Sequence, residues 1–220
     1  MSIKGNIEKL RDTVSEGVKI VAVSKFHSNT EILEAFDAGQ RVFGESRVQE
    51  LVQKQSELPK DIEWHFIGNL QRNKVKQIAP FINLIHSVDS ERLMREIEKQ
   101  AAANNRIISC LLQLHVAEED TKSGFTPDEC LEFLNRGIWR ECTHVKFTGI
   151  MGMATFTEDE AKVRSEFKKL KSLFDSVKAE YFAMDPEFNV LSMGMTGDYQ
   201  IAVEEGSNMI RIGTLIFGER

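Results

Sequence analysis

Hydrophobic and polar residues follow two alternating periods along the chain. Short β-branched or aromatic runs occupy 19–23, 42–44, 63–67, 84–87, 107–114, 145–151, 190–192 and 209–212. Between them stand stretches with apolar residues three and four apart, at 30–38, 46–55, 73–78, 90–104, 127–135, 158–179 and 198–205. The first set has the length of strands and the second the period of amphipathic helices. In 90–104, Ser90 is placed to cap, with Leu93, Met94 and Ile97 on one face behind it. Residues 3–16 read as one more helix ahead of the first strand.

Eight strands separated by helices predict parallel pairing through right-handed crossovers. Eight is also the number that closes a (β/α)8 barrel; an open doubly wound sheet is the alternative if the count is off by one or two. No linker-like stretch divides the chain, so the expectation is one α/β domain over 1–220, a TIM-type barrel with an additional N-terminal helix. In such a barrel the chemistry sits where strands end and helices begin.

Composition narrows the function. With 28 Lys+Arg against 34 Asp+Glu the net charge is −6, which argues against nucleic-acid or anionic-membrane partners, since either needs a basic face. No apolar run approaches the roughly 18 residues of a membrane span, and the start lacks the apolar segment of a secretory signal. Cys110, Cys130 and Cys142 are spaced too widely for a CxxC motif and fit core positions in a reducing compartment. The expected location is the cytoplasm. No HExxH or carboxylate-rich loop suggests a metal, and no glycine-rich phosphate loop suggests a nucleotide.

The strand ends carry the unusual residues. Alternation along the first strand puts Val21, Val23 and Lys25 on one face. A lysine at the mouth of a buried strand is partly desolvated, which favours the neutral, nucleophilic amine. Alone, Lys25 better fits a strand-end lysine snorkelling to solvent. The last strand runs into Arg211-Ile212-Gly213-Thr214. Arg211 and Gly213 share parity, and the turn amides with the Thr214 hydroxyl can donate to a phosphate. The other reading of Arg211 is a charge paired with a nearby Asp or Glu. One strand earlier, Ser192-Met193-Gly194-Met195-Thr196-Gly197-Asp198 has the composition of an anion site before a helix, with Asp198 as that helix's N-cap. His65 reads as a hydrogen-bonded core histidine. Lys122 fits either an anion contact or a solvated turn, and Arg72, Lys74 and Lys76 a wet helix face.

Together these stretches resemble the pyridoxal phosphate homeostasis protein family, whose members are single barrels related to the barrel domain of alanine racemase. The likeness is carried by Val21-Ala22-Val23-Ser24-Lys25, Phe43-Gly44-Glu45, Val48-Gln49-Glu50, Trp64-His65-Phe66-Ile67-Gly68, Leu70-Gln71 and Asn73-Lys74. It continues through Ile85-His86-Ser87-Val88-Asp89, Lys122-Ser123-Gly124-Phe125, Leu191-Ser192-Met193-Gly194-Met195, Arg211-Ile212-Gly213-Thr214 and Ile216-Phe217-Gly218. The resemblance implies a fold type III barrel with pyridoxal 5′-phosphate as cofactor, held as a Schiff base on Lys25. It further implies that Ser192, Gly213 and Thr214 hold the phosphate, with Gly194 in the same cradle, and that Arg211 lies near the pyridine nitrogen. The chain departs from the family pattern at Ser46-Arg47, where Asn-Tyr is usual, at Asn69 in place of His, and at Gly152 in place of Thr. Ser46 retains a hydroxyl that can donate one hydrogen bond to the cofactor.

The function this implies is intracellular homeostasis of pyridoxal phosphate: a monomer that buffers the cofactor or delivers it to apo-enzymes, with little or no turnover and no catalytic residue assigned. The first alternative is an amino-acid racemase of the alanine racemase fold type. Racemisation needs a base on each face of the substrate, and Tyr181 and Tyr199 match no racemase motif; the expected ending of the chain just past the eighth strand also leaves no second domain. A Schiff-base aldolase acting on a phosphorylated sugar is a further alternative.

Overall fold

The eight β-branched runs all form strands. The computed structural model of the protein describes residues 2–116 and 123–219, so Lys122 lies outside the described residues. The strands are β1 (Lys19–Val23), β2 (Val42–Glu45), β3 (Glu63–Phe66), β4 (Leu84–Val88), β5 (Ile108–His115), β6 (Val145–Met153), β7 (Val190–Met195) and β8 (Met209–Ile212). Every pairing is parallel, and β8 returns to β1 to close the barrel. Closure rules out the open sheet.

Helices α1 (Ile3–Thr13), α2 (Asn29–Asp37), α3 (Val48–Glu57), α4 (Val75–Ile78), α5 (Glu91–Ala103), α6 (Pro127–Asn135), α7 (Glu160–Tyr181), α8 (Tyr199–Glu204) and α9 (Thr214–Phe217) are interspersed among them. Their starts follow local chemistry. Ser90 accepts the Leu93 amide at the head of α5, while Ser28 with Glu31 and Thr126 with Glu129 form capping boxes on α2 and α6. Asp198 stands before α8 but does not cap it with its side chain; its Oδ1 instead accepts the Met195 amide at 2.5 Å. The leading helix α1 is shorter than its sequence pattern. It buries Ile3, Ile7 and Leu10, and Asn6 ties it to the Ile216 carbonyl of α9 at 3.0 Å.

Two apolar layers follow from strand alternation. Val21, Val42, Leu84, Leu111, Met151 and Met209 point into the barrel and pack together. Ala22, Phe43, Trp64, Phe66, Ile85, Leu112, Ile150, Leu191 and Ile210 point outward into the larger core beneath the helices. Cys110 and Cys130 are free thiols of that outer core, and burial pushes Cys130 up to about 12. Among the described residues no helix is long and apolar enough to cross a membrane.

Register shifts interrupt the β4–β5, β5–β6 and β7–β8 ladders. Along β6 the register steps from Phe147 to Gly149 against consecutive β5 residues, so Thr148 is an extra residue. A Cβ on Gly149 would stand 1.8 Å from the Val190 carbonyl oxygen. Gly149→Ala is therefore expected to cost about 3 kcal/mol or more through backbone displacement, lowering Tm by roughly 6–12 °C. Gly197→Ala, with nothing within 4 Å of its Cβ, should change stability by less than about 0.5 kcal/mol. Thermal denaturation of the two variants makes the comparison.

Candidate functional site

The in-register pairing of β1 with β8, Ala22 beside Ile212, carries the first and last strand ends to one place on the rim. Lys25 is half-buried in the turn after β1. Across the seam, Gly213 is half-buried and Thr214 exposed, and a Cβ on Gly213 would come within 3.5 Å of Val23. The bare glycine keeps this gap between the two strand ends open. Closure thus puts Lys25 and the Gly213-Thr214 turn on a shared edge.

Beneath that edge Arg211 points into the barrel, 5% exposed. Its Nη1 donates to the Ser192 carbonyl at 2.9 Å and to Ser192 Oγ at 2.7 Å, and Nη2 donates to the Gly152 carbonyl at 3.0 Å. The guanidinium is therefore satisfied by neutral oxygens of β6 and β7. Burial lowers its pKa to about 10, with Asp198 pulling it back up, so it stays charged at neutral pH. Asp198 is itself raised by burial, against the Met195 amide and Arg211. The alternative reading of Arg211 as one half of a close ion pair therefore gives way to neutral acceptors, with Asp198 acting through its charge alone.

Ser192 lies fully buried between Arg211 and His86, whose Nδ1 is 3.2 Å from Ser192 Oγ. His86 Nε2 in turn meets His65 Nδ1 at 3.0 Å. A continuous side-chain path, Arg211–Ser192–His86–His65, thus crosses the barrel interior. Burial, with Lys19 adding to it, lowers His65 to about 3. Burial, then His65 and Arg211, take His86 well below its ordinary value. Both imidazoles are neutral at pH 7, each able to donate with one nitrogen and accept with the other. His65 is a core histidine, as its sequence context suggested; its partner His86 was missed, although its parity with inward-facing Leu84 could have pointed to it.

Gly194 has φ +95°, and its Cβ would stand 2.6 Å from Ala202 Cβ. It sits where the β7–β8 register slips between Ser192 and Met195, so bulge geometry and the approach of α8 both require glycine there. Ser46 stands two strands round the rim from β8, half-buried after β2. It lines a cavity of about 310 Å³ with Arg47, Phe66, Asn69 and Lys74. The guanidinium of Arg47 lies 4.5 Å over the Phe26 ring, and Asn69 donates to Ser123 Oγ at 2.7 Å. Three of the four departures from the family pattern therefore border one cavity. The fourth, Gly152, lends its carbonyl to Arg211; a Cβ there would meet Leu170 at 2.6 Å. Arg72 and Lys76 are exposed, as expected of a wet face, whereas Lys74 is half-buried and lines the cavity.

An amine, a buried permanent cation and a glycine-opened turn with free hydroxyl suit a planar aldehyde bearing an anionic tail. Among the described residues no group of His, Cys, Asp and Glu could hold a metal. The barrel and this donor set define a protein of the alanine racemase N-terminal type, and the family model described as "Alanine racemase, N-terminal domain" matches residues 1–220. A protein of Aquifex aeolicus named "Pyridoxal phosphate homeostasis protein" is 41% identical over 203 residues, covering 92% of this chain and 87% of the relative. One of the same name from Helicobacter pylori is 39% identical over 217 residues, covering 97% and 94%. The chain belongs to the pyridoxal phosphate homeostasis protein family. Among solved structures it is similar to PipY of Synechococcus elongatus without PLP (TM-score 0.92, 33% identity, covering 99% of this chain and 100% of that one) and to the same protein with PLP bound (0.89, 32%). Alanine racemase of Clostridium difficile (TM-score 0.79, 14% identity, covering 100% of this chain and 56% of that one) shares the fold.

The buried histidines set a pH dependence. Their pKa values are depressed in the fold, so below about 6.5 the unfolded chain binds protons that the folded chain refuses. This contribution to stability is complete above pH 6.5 and is lost as pH falls toward 3. For His65 alone the loss is about 2–3 kcal/mol at pH 4.5. Glu45 acts oppositely, because burial raises its folded pKa and acid relieves it. Urea unfolding at pH 7 and 4.5 should show a marked fall for the wild type and a shallower one for His65→Asn; equal falls would refute the assignment.

Proposed function

We propose that the protein binds pyridoxal 5′-phosphate at the rim formed by β1, β7 and β8, and buffers or delivers it with little or no turnover. The observation that carries this reading is the β1–β8 seam, which sets Lys25 on the same edge as Gly213 and Thr214, above a buried Arg211. Relatives named for pyridoxal phosphate homeostasis and the PLP-bound PipY structure support it.

In this reading Lys25 Nζ supplies the amine that takes the cofactor's aldehyde as a Schiff base. Gly213 amide and the Thr214 amide and hydroxyl bind the phosphate, with Ser192 and Gly194 lining the same side and Ser46 offering one hydrogen bond across the rim. Arg211 faces the ring nitrogen as a pure donor. When bound, the cofactor supplies an electron sink for amino-acid chemistry. Arg211 leaves that sink weak, because a guanidinium charged up to about 10 does not give its proton to the ring.

Low turnover is supported by where the tyrosines are. Tyr181 donates to Asn135 at 2.8 Å, and the Tyr199 hydroxyl meets Thr13 at 3.2 Å. Both are engaged in the helix layer, and neither is offered as a base. The remaining elements of the reading are a single domain over 1–220, working as a monomer in the cytoplasm, with apo-enzymes dependent on this cofactor as recipients.

Addition of pyridoxal 5′-phosphate to the purified protein should produce a visible absorption band that borohydride bleaches, leaving a pyridoxyl adduct on Lys25. Lys25→Ala should abolish the band. Thr214→Ala should weaken affinity about tenfold, the loss of one charge-assisted hydrogen bond. The loaded protein should restore activity to an apo-enzyme while exchanging the Cα proton of alanine for deuterium no faster than free cofactor does. Exchange well above that rate would favour the racemase reading, and borohydride trapping without a pyridoxyl adduct would favour the aldolase.

A further inference from the structure

Residues on both sides of Lys25 end on one buried ammonium and its carboxylates. Lys54, on the buried side of α3, places Nζ 2.7 Å from the Ser24 carbonyl, 2.8 Å from Glu45 Oε1 and 2.7 Å from Glu50 Oε1. All three of its N–H donors are thereby used. Ser24 Oγ also donates to Glu45 Oε1 at 2.7 Å. On the far side of Lys25, the Phe26 amide donates to Glu50 Oε1 at 2.5 Å. Ser24 and Phe26, the two immediate neighbours of Lys25, are therefore fixed by the same three side chains.

Two features set this cluster apart from ordinary packing. Phe26 has φ +67°, a left-handed conformation that persists in a residue with a Cβ only where its surroundings over-determine it. Moreover, the Lys54 side chain is 7% exposed and that of Glu45 fully buried. A buried ion pair is seldom the most stable filling for such a space, since apolar residues of similar size often do as well. Burial raises the Glu45 carboxyl, Lys54 and Ser24 draw it back down, and Glu45 Oε2 has no partner. Among the described residues Lys54 is the only buried lysine, and it stands behind the turn that presents Lys25.

We propose that Lys54, with Glu45 and Glu50, is a positioning cluster that presets the turn carrying Lys25 before the cofactor arrives. The inference rests on Lys25 being the attachment point. Its physical content is pre-organisation: a turn already fixed on both sides spares the cost of ordering it at binding.

Lys54→Met leaves two carboxylates around an absent cation and is expected to fold poorly, so Glu50 is the diagnostic position. Its side chain is 21% exposed and tolerates truncation. Glu50→Ala frees the Phe26 amide, whereas Glu50→Gln keeps an oxygen for it. Glu98→Ala is the control: Glu98 accepts the amides of Thr143, His144 and Val145 at 2.8–3.0 Å at the opposite end of the barrel. Amide hydrogen exchange without cofactor and a pyridoxal 5′-phosphate titration followed by the visible band give two independent readouts. Glu50→Ala should speed exchange across residues 24–27 and weaken affinity about tenfold or more. Glu50→Gln should recover most of that affinity, and Glu98→Ala should lower Tm while leaving affinity at the wild-type value. Wild-type affinity in Glu50→Ala, or an equal loss in Glu98→Ala, overturns the inference alone. A wild-type protein that shows no band overturns it together with the Schiff-base reading beneath it.

Discussion

The pairing of β8 with β1 is the constraint on which the site depends. Four consecutive residues pair in register, from Lys19 beside Met209 to Ala22 beside Ile212, and this fixes which residues arrive together at the rim. A slip of one residue would reverse the facing of every side chain on β8, turning Arg211 out into the helix layer and an isoleucine into the barrel. The apolar contacts of Val21 and Met209 inside, and of Ala22, Ile210 and Ile212 outside, hold that register from both faces. Hydrophobic packing thus decides where the charged and hydroxylated residues stand.

A guanidinium inside a barrel must find oxygens that the strand ladders leave available. The β7–β8 ladder is interrupted between Ser192 and Met195, and there Arg211 meets the Ser192 carbonyl and hydroxyl as well as the Gly152 carbonyl. Bulge and cation are complementary: the bulge exposes acceptors, and the cation satisfies groups that would otherwise be buried without partners. The histidine pair extends the same solution to the other side of the barrel. Both rings are buried and neutral, so they fill space as apolar residues do while completing the hydrogen bonding of Ser192. The interior therefore grades from apolar residues such as Val21, Leu84 and Met209 to a polar layer near the rim, where the Arg211 charge is hydrogen-bonded to neutral oxygens.

Much of this is legible in the sequence because alternation is a local property. Strand 19–23 has the same bounds in sequence and structure, and the inward facing of Arg211 follows from counting along the last strand, whereas Lys25 and Gly213 fall in the turns beyond their strands. Strands β6 and β7 run past their β-branched runs, through Gly152-Met153 and Met193-Gly194-Met195, because barrel pairing extends strands through residues of low intrinsic β-propensity. Helix α9 has four residues, too few to show a period. The link from His86 to Ser192 and that from Lys54 to Ser24 join positions 106 and 30 residues apart. Neither leaves a local mark, and Lys54 reads as one more solvated helix lysine until α3 is docked. Asp198 has N-cap composition, but the β7 bulge presents the Met195 amide to its carboxylate first.

A carrier and an enzyme ask different things of the same rim. An enzyme of this chemistry needs a base poised at the substrate carbon; a weak electron sink does not separate the two, because alanine racemase shares an arginine at the ring nitrogen. A carrier needs an amine held in place, an anion cradle and few groups that promote anything further. The buried elements favour the second. Arg211 is anchored by three neutral acceptors and stays charged, the two imidazoles joined to it through Ser192 are neutral and buried, and both tyrosines are committed to the helix layer. Fixing the turn on both sides of Lys25 adds affinity by lowering the ordering cost, without adding contacts to the cofactor itself.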